Sequence, residues 1–257
     1  MTGFFIKKAF FDGWDNLLTL VALNAGFIVL IVLFLAIPMI ASGTAALAII
    51  LMVMVVYLFH FFAGGVSMFL GDLTFDRSPE FREFPGYVAS VWKLAAVFGT
   101  ITNVQLLILM IGFPFYISVG GVFGLAALAI LFWVSVLWWL ITIWIFPVRR
   151  QLNTGVKVVL KKSVILFFDN PGFTIFIGVY TIFNFILSVV TAFLVPGISS
   201  ILYSHQIALK LRMFKYDYLE ENPGKNPKEI PWGALLMEEK EKVGPRSLRG
   251  MIFPWKD

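Results

Sequence analysis

Few side chains in this 257-residue chain have types that bind, coordinate or shuttle. There are two histidines, His60 and His205, and no cysteine. Lack of cysteine removes disulfides, thiolate metal sites and cysteine nucleophiles together. Two histidines without acidic neighbours in sequence complete neither a zinc site nor a Ser-His-Asp arrangement. Asp72, Asp76, Glu80 and Glu83 have divalent-cation chemistry, but Arg77 and Arg82 interleave with them, which reads as a solvated charged loop. No glycine-rich phosphate loop, dinucleotide fingerprint or His-Glu-x-x-His helix occurs. The chain reads as non-enzymatic, with no cofactor and no metal.

The remaining polar groups sit inside long apolar stretches. Asn24, His60, Asn103, Gln105, Asn184 and His205 are the candidates for a polar path or small-ligand site, with the Asn103–Gln105 region foremost. The competing reading is interhelical hydrogen bonding, at about 0.6–2 kcal/mol a contact. No Asp, Glu, Lys or Arg falls deep in an apolar stretch. Ion-coupled transport, which relies on intramembrane carboxylates, is thereby disfavoured.

The elements that must hold these residues follow from composition. Apolar residues make up 60% of the chain and charged residues only 14%, with a mean hydropathy of +0.89. A soluble domain of this size cannot hide that much apolar surface. A soluble enzyme, a disordered regulator and a DNA-binding module are excluded, and nucleic acid with them as a partner. What remains is an all-α, multi-pass membrane protein whose first partner is the lipid bilayer. About 20 helical residues cross the hydrocarbon core. Spans are expected over 17–37, ending at Pro38, then 44–70, 91–111, ending before Pro114, and 123–146. The first is read as an uncleaved helix rather than a signal peptide. The stretch 172–209 is too long for one crossing and is interrupted at Pro196–Gly197, so five or six spans fit on length alone. Charge favours six. With both termini inside, all 20 Lys and Arg fall on the cytoplasmic side, whereas five spans would put ten outside.

An internal pattern also favours six. Ile6-Lys7-Lys8-Ala9 … Asp15-Asn16 recurs with the same spacing as Leu160-Lys161-Lys162-Ser163 … Asp169-Asn170, each on an apolar stripe of helical period. A fainter copy reads Phe84, Tyr87, Val88, Val91, Trp92. Each copy precedes a span, a proline and small residues, as expected for three repeats of an amphipathic interfacial lead-in plus a helical hairpin. The tryptophans at 14, 92, 138, 139 and 144 include the expected interfacial aromatics, and Trp133, in mid-span, is expected to pack against neighbouring helices.

Residues 1–213 are thus expected to form a six-helix domain and 214–257 a cytoplasmic tail with one short helix near 233–242. The tail ends in an apolar cluster, Met251, Ile252, Phe253 and Trp255. It either docks on the protein's own cytoplasmic face or bilayer, or enters a partner groove.

The lead-ins ending in an aromatic residue and Asp-Asn, followed by a helix with Asn24 and the turn Ile37-Pro38 … Gly43-Thr44, resemble the YesL-like family of bacterial membrane proteins. The resemblance spans residues 4–214, and the long tail departs from it. It brings no catalytic residues. It implies residence in the bacterial cytoplasmic membrane and an accessory or scaffold role beside a carbohydrate ABC transporter, with the permease as partner. The alternative is a small channel or transporter with a polar path through the bundle.

Overall fold

The structure, a computed structural model, describes residues 1–227 and 229–246, and these are helical with no strand among them. The helices are α1 (Thr2–Asp15), α2 (Leu17–Ile40), α3 (Ala45–Thr74), α4 (Phe84–Val119), α5 (Gly121–Thr142), α6 (Ile145–Leu152), α7 (Val156–Asp169), α8 (Pro171–Val190), α9 (Gly197–Glu221), α10 (Trp232–Leu235) and α11 (Met237–Val243). Five segments are long and apolar enough to cross a membrane: 17–40, 45–74, 81–119, 121–152 and 171–190. The chain is an integral membrane protein by that measure. The helix α9 carries too many polar residues to meet it, yet it is enclosed by the others: α1, α2, α3, α6 and α8 all pack on it.

Helix ends differ from the sequence expectation at both prolines. Helix α2 runs through Pro38 to Ile40, and α4 runs through Pro114 to Val119. Near the end of a long helix, proline removes one backbone hydrogen bond without stopping the chain from coiling. The middle lead-in is not separate either. After a short turn of tighter helix over Phe81–Glu83, residues 84–92 form the first turns of α4, a single helix of 36 residues and about 54 Å.

The first and third lead-ins are separate helices, and they join their spans through matching contacts. The Asn16 side chain donates to the Asp12 carbonyl at 2.8 Å, and Asn170 donates to Leu166 at 3.3 Å, each four residues back. Each asparagine carbonyl then accepts the first hydrogen bond of the next helix, from Leu20 and from Thr174. The aspartate beside each faces a cation supplied by the C-terminal part of the chain: Arg246 for Asp15 and Lys215 for Asp169. The Asp-Asn pairs are therefore joints. Asparagine reconnects the backbone and aspartate ties the joint to another element.

Two tryptophans reverse their expected places. Trp144 is fully buried and donates from its indole N–H to Thr174 at 3.1 Å, whereas Trp133 is 61% exposed. It points out of α5 at membrane depth, where an exposed aromatic faces lipid.

The interhelix ion pairs gather at one end of the bundle. At its centre Glu239 of α11, only 2% exposed, pairs with Lys8 and Lys210 at 2.8 and 2.9 Å, and Lys8 also pairs with Asp12 at 2.8 Å. The segment around α11 is thus fastened to the bundle, with Lys242 on Asp76 and the Lys7 ammonium on the Gly244 carbonyl as further ties. Burial works to raise the Glu239 pKa, but hydrogen bonds from both lysines outweigh it and hold the group below the ordinary glutamate value. The apolar cluster Met251, Ile252, Phe253 and Trp255 lies outside the described residues.

Candidate functional site

The two histidines come from distant parts of the chain and meet at one cavity of about 250 Å³. His60 on α3 and His205 on α9 line it with Phe59, Phe98, Trp139 and Thr181, so the walls are mainly apolar and aromatic. The His60 Nδ1–H donates to the Val56 carbonyl at 2.8 Å, since a carbonyl only accepts, and Nε2 shares a 3.0 Å hydrogen bond with the Thr102 hydroxyl, as acceptor when the ring is neutral. His205 shares a 2.9 Å hydrogen bond between Nε2 and the Thr181 hydroxyl, and its Nδ1 has no partner among the described residues. The cavity can therefore offer one free ring nitrogen, hydroxyls and aromatic faces to a small neutral molecule. Among the described residues no three His, Asp or Glu side chains converge to hold a metal ion.

The other path candidates are dispersed. Asn24 clamps the start of α9: its amide group donates to the Leu194 and Pro196 carbonyls, and its oxygen accepts from the Ser199 N–H, all at 2.9 Å. Gly197 takes a left-handed conformation (φ 69°) there, and a Cβ would collide with the Asn24 carboxamide. Asn184 is occupied within its own helix, donating to the Tyr180 carbonyl at 2.9 Å. Asn103 donates to the Gly99 carbonyl at 3.0 Å while its oxygen is buried without a partner.

Gln105 belongs elsewhere. It opens into a groove of about 580 Å³ between α4 and α5, among Leu109, Met110, Phe113, Phe132 and Ser135. Neither Gln105 nor Ser135 makes a hydrogen bond to the described residues. Beyond this level the α4–α5 hairpin stands clear of the bundle; residues such as Ile111, Phe115, Val122, Phe123 and Leu125 are exposed.

Further polar contacts hold α9, as the interhelical hydrogen-bonding reading expects. The Gln206 amide donates to the Ser67 carbonyl and hydroxyl, both at 2.9 Å, and the Ser199 hydroxyl donates to the Leu20 carbonyl at 2.9 Å. The available signal was the serine-rich run from Ser199 to Ser204 in a helix otherwise long enough to span. Small hydroxyl residues at this density favour close packing against other helices. Comparison with protein-family models, curated proteins and solved structures returns no match, so the site stands on its own geometry.

Proposed function

We propose that this is a non-enzymatic accessory subunit of a membrane complex, with the α4–α5 hairpin as its docking face. Gln105 carries the proposal. A half-buried carboxamide in an apolar, outward-facing groove, with no partner among the described residues and Ser135 beside it, is costly in hydrocarbon. A transmembrane helix of a partner that hydrogen-bonds the carboxamide removes that cost and covers the groove. The YesL-like resemblance supplies the partner class, a carbohydrate ABC transporter permease in a bacterial cytoplasmic membrane.

The same reading takes α9 as a sixth crossing. Its polar residues never meet lipid because five helices surround it, and with six crossings both termini and the ionic end face the cytoplasm. The matching Asp-Asn joints support three lead-in-plus-hairpin units, with the middle lead-in fused into its span. A reporter fused after Asp257 should be active only as a cytoplasmic fusion; an extracytoplasmic signal would contradict six crossings.

Gentle detergent extraction followed by crosslinking and mass spectrometry tests the function. Recovery of a transporter permease with the wild type, lost with Gln105→Leu, is the expected result. A second reading, a small channel or transporter, draws on the cavity between His60 and His205. It would displace the first if a purified homomer conducted solute in liposomes and His205→Phe abolished the flux.

A further inference from the structure

At the charged end of the bundle a second, larger cleft of about 740 Å³ opens between α3, the start of α4 and α6. Four arginines line it: Arg77, Arg82, Arg149 and Arg150. Their charges are unevenly answered. Arg150 pairs with Asp72, which also accepts the Tyr87 hydroxyl at 2.5 Å. Among the described residues Arg77 reaches only that same, already engaged carboxylate, at 3.9 Å. Arg82 pairs with Glu80 at 2.7 Å, but its side chain is 80% exposed, where such a pair holds weakly.

Arg149 differs from all three. It has no carboxylate partner among the described residues. Three neutral acceptors hold it instead: the Asn153 side-chain oxygen and the Thr154 carbonyl at 2.9 Å, and the Ser90 carbonyl at 2.8 Å. A guanidinium has five N–H donors, so two remain free. The head group is thus fixed in place, uncompensated, and still able to grip an oxyanion.

We propose that this cleft binds a phosphate group. Fixed guanidiniums match the oxygen geometry of phosphate, and the four arginines outnumber the two carboxylates on the walls, Asp72 and Glu83, so the lining is positive. Its level in the membrane fits as well. Trp92, 52% exposed, and Lys93 lie on α4 just past Ser90, a pairing typical of the headgroup layer. The phosphate belongs either to a phospholipid headgroup or to a soluble phosphomonoester, and the chemistry of recognition is common to both. The proposal is independent of the accessory reading.

The test uses the full-length protein, delipidated in neutral detergent. One arm titrates inorganic phosphate and glycerol phosphate by calorimetry. The other compares native mass spectra after adding phosphatidylglycerol or phosphatidylcholine. Saturable binding in the first arm assigns a soluble ligand; retention of either phospholipid, with no response in the first arm, assigns a lipid, and preference for phosphatidylglycerol shows that the choline cation is disfavoured. Both outcomes support the site if Arg149→Gln weakens binding by about tenfold. Arg77→Gln, at a side chain 70% exposed, should weaken it by about threefold without disturbing the fold. Absence of binding in both arms, or wild-type binding in a folded Arg77→Gln and Arg149→Gln double variant, would overturn the proposal.

Discussion

The inner bundle around α9 and the outer half of the α4–α5 hairpin handle polar groups in opposite ways. Around α9 the asparagine, glutamine and serines are bonded: Asn24 uses its amide and its oxygen on the turn before α9, and Gln206 bonds Ser67 twice. On the hairpin Gln105 and Ser135 face an open groove without bonds to the described residues. Hydrogen bonds made inside a bundle lock helices together, while polar groups left open at membrane depth await something outside it. The first region therefore reads as scaffold and the second as contact surface. Substitutions should accordingly unfold the protein in one region and only disconnect it in the other.

The largest effect is expected where burial and charge coincide. Glu239→Ala strands Lys8 and Lys210 without their shared carboxylate and should cost about 3–5 kcal/mol. Unfolding in mixed micelles would show it, together with protease sensitivity between 222 and 246. Asn24→Ala comes next, at about 2–3 kcal/mol, because it takes their partner from the Ser199 N–H and the Leu194 carbonyl, while the Pro196 carbonyl keeps the Ser200 hydroxyl. The same unfolding measurement checks it, and an unchanged midpoint would show that Asn24 is no clamp.

Acid should release the α11 segment late. The folded pKa of Glu239 lies below its ordinary value near 4.5, so its contribution is complete above that pH and is lost only as pH falls through the folded value. Asp76 is lowered too, first by the hydrogen bond from Lys242, and loses its contribution in the same direction. Burial raises the Asp12 pKa despite Lys8. Its sign is opposite, since protonation there favours the folded state. Hydrogen exchange in α11 should stay protected from pH 7 to about 4.5 and rise below it. Exchange that opened between pH 5 and 6 would contradict this. The smallest effect on stability belongs to Gln105→Leu, within about 0.5 kcal/mol of wild type, although it should abolish partner recovery.

Much of the scaffold is legible in the residues themselves. Apolar runs locate five crossings, and the Lys-Lys and Asp-Asn spacing picks out α1 and α7 as separate helices. The ends were less readable, because Pro38 and Pro114 signal termination in sequence while a long membrane helix absorbs them. The stretch 172–209 was ambiguous because it is too long for one crossing and breaks at Pro196–Gly197, and the tolerance of α9 for serine depends on neighbours distant in sequence. The path residues show the same limit. His60 and His205 lie 145 positions apart, and nothing local announces that they share a cavity. Nor does any local pattern reveal Glu239 as a buried partner of Lys8, or Arg149 and Arg150 as walls of the cleft that contains Arg77.

Gln105 is proposed to face a partner helix. A photo-crosslinking amino acid at position 105, activated in native membranes, tests it directly. The expected product is a discrete adduct with one integral membrane protein, identified by mass spectrometry as a transporter permease, and absent when the probe is moved to exposed Phe168 on α7. Lipid adducts alone at position 105 would contradict the account.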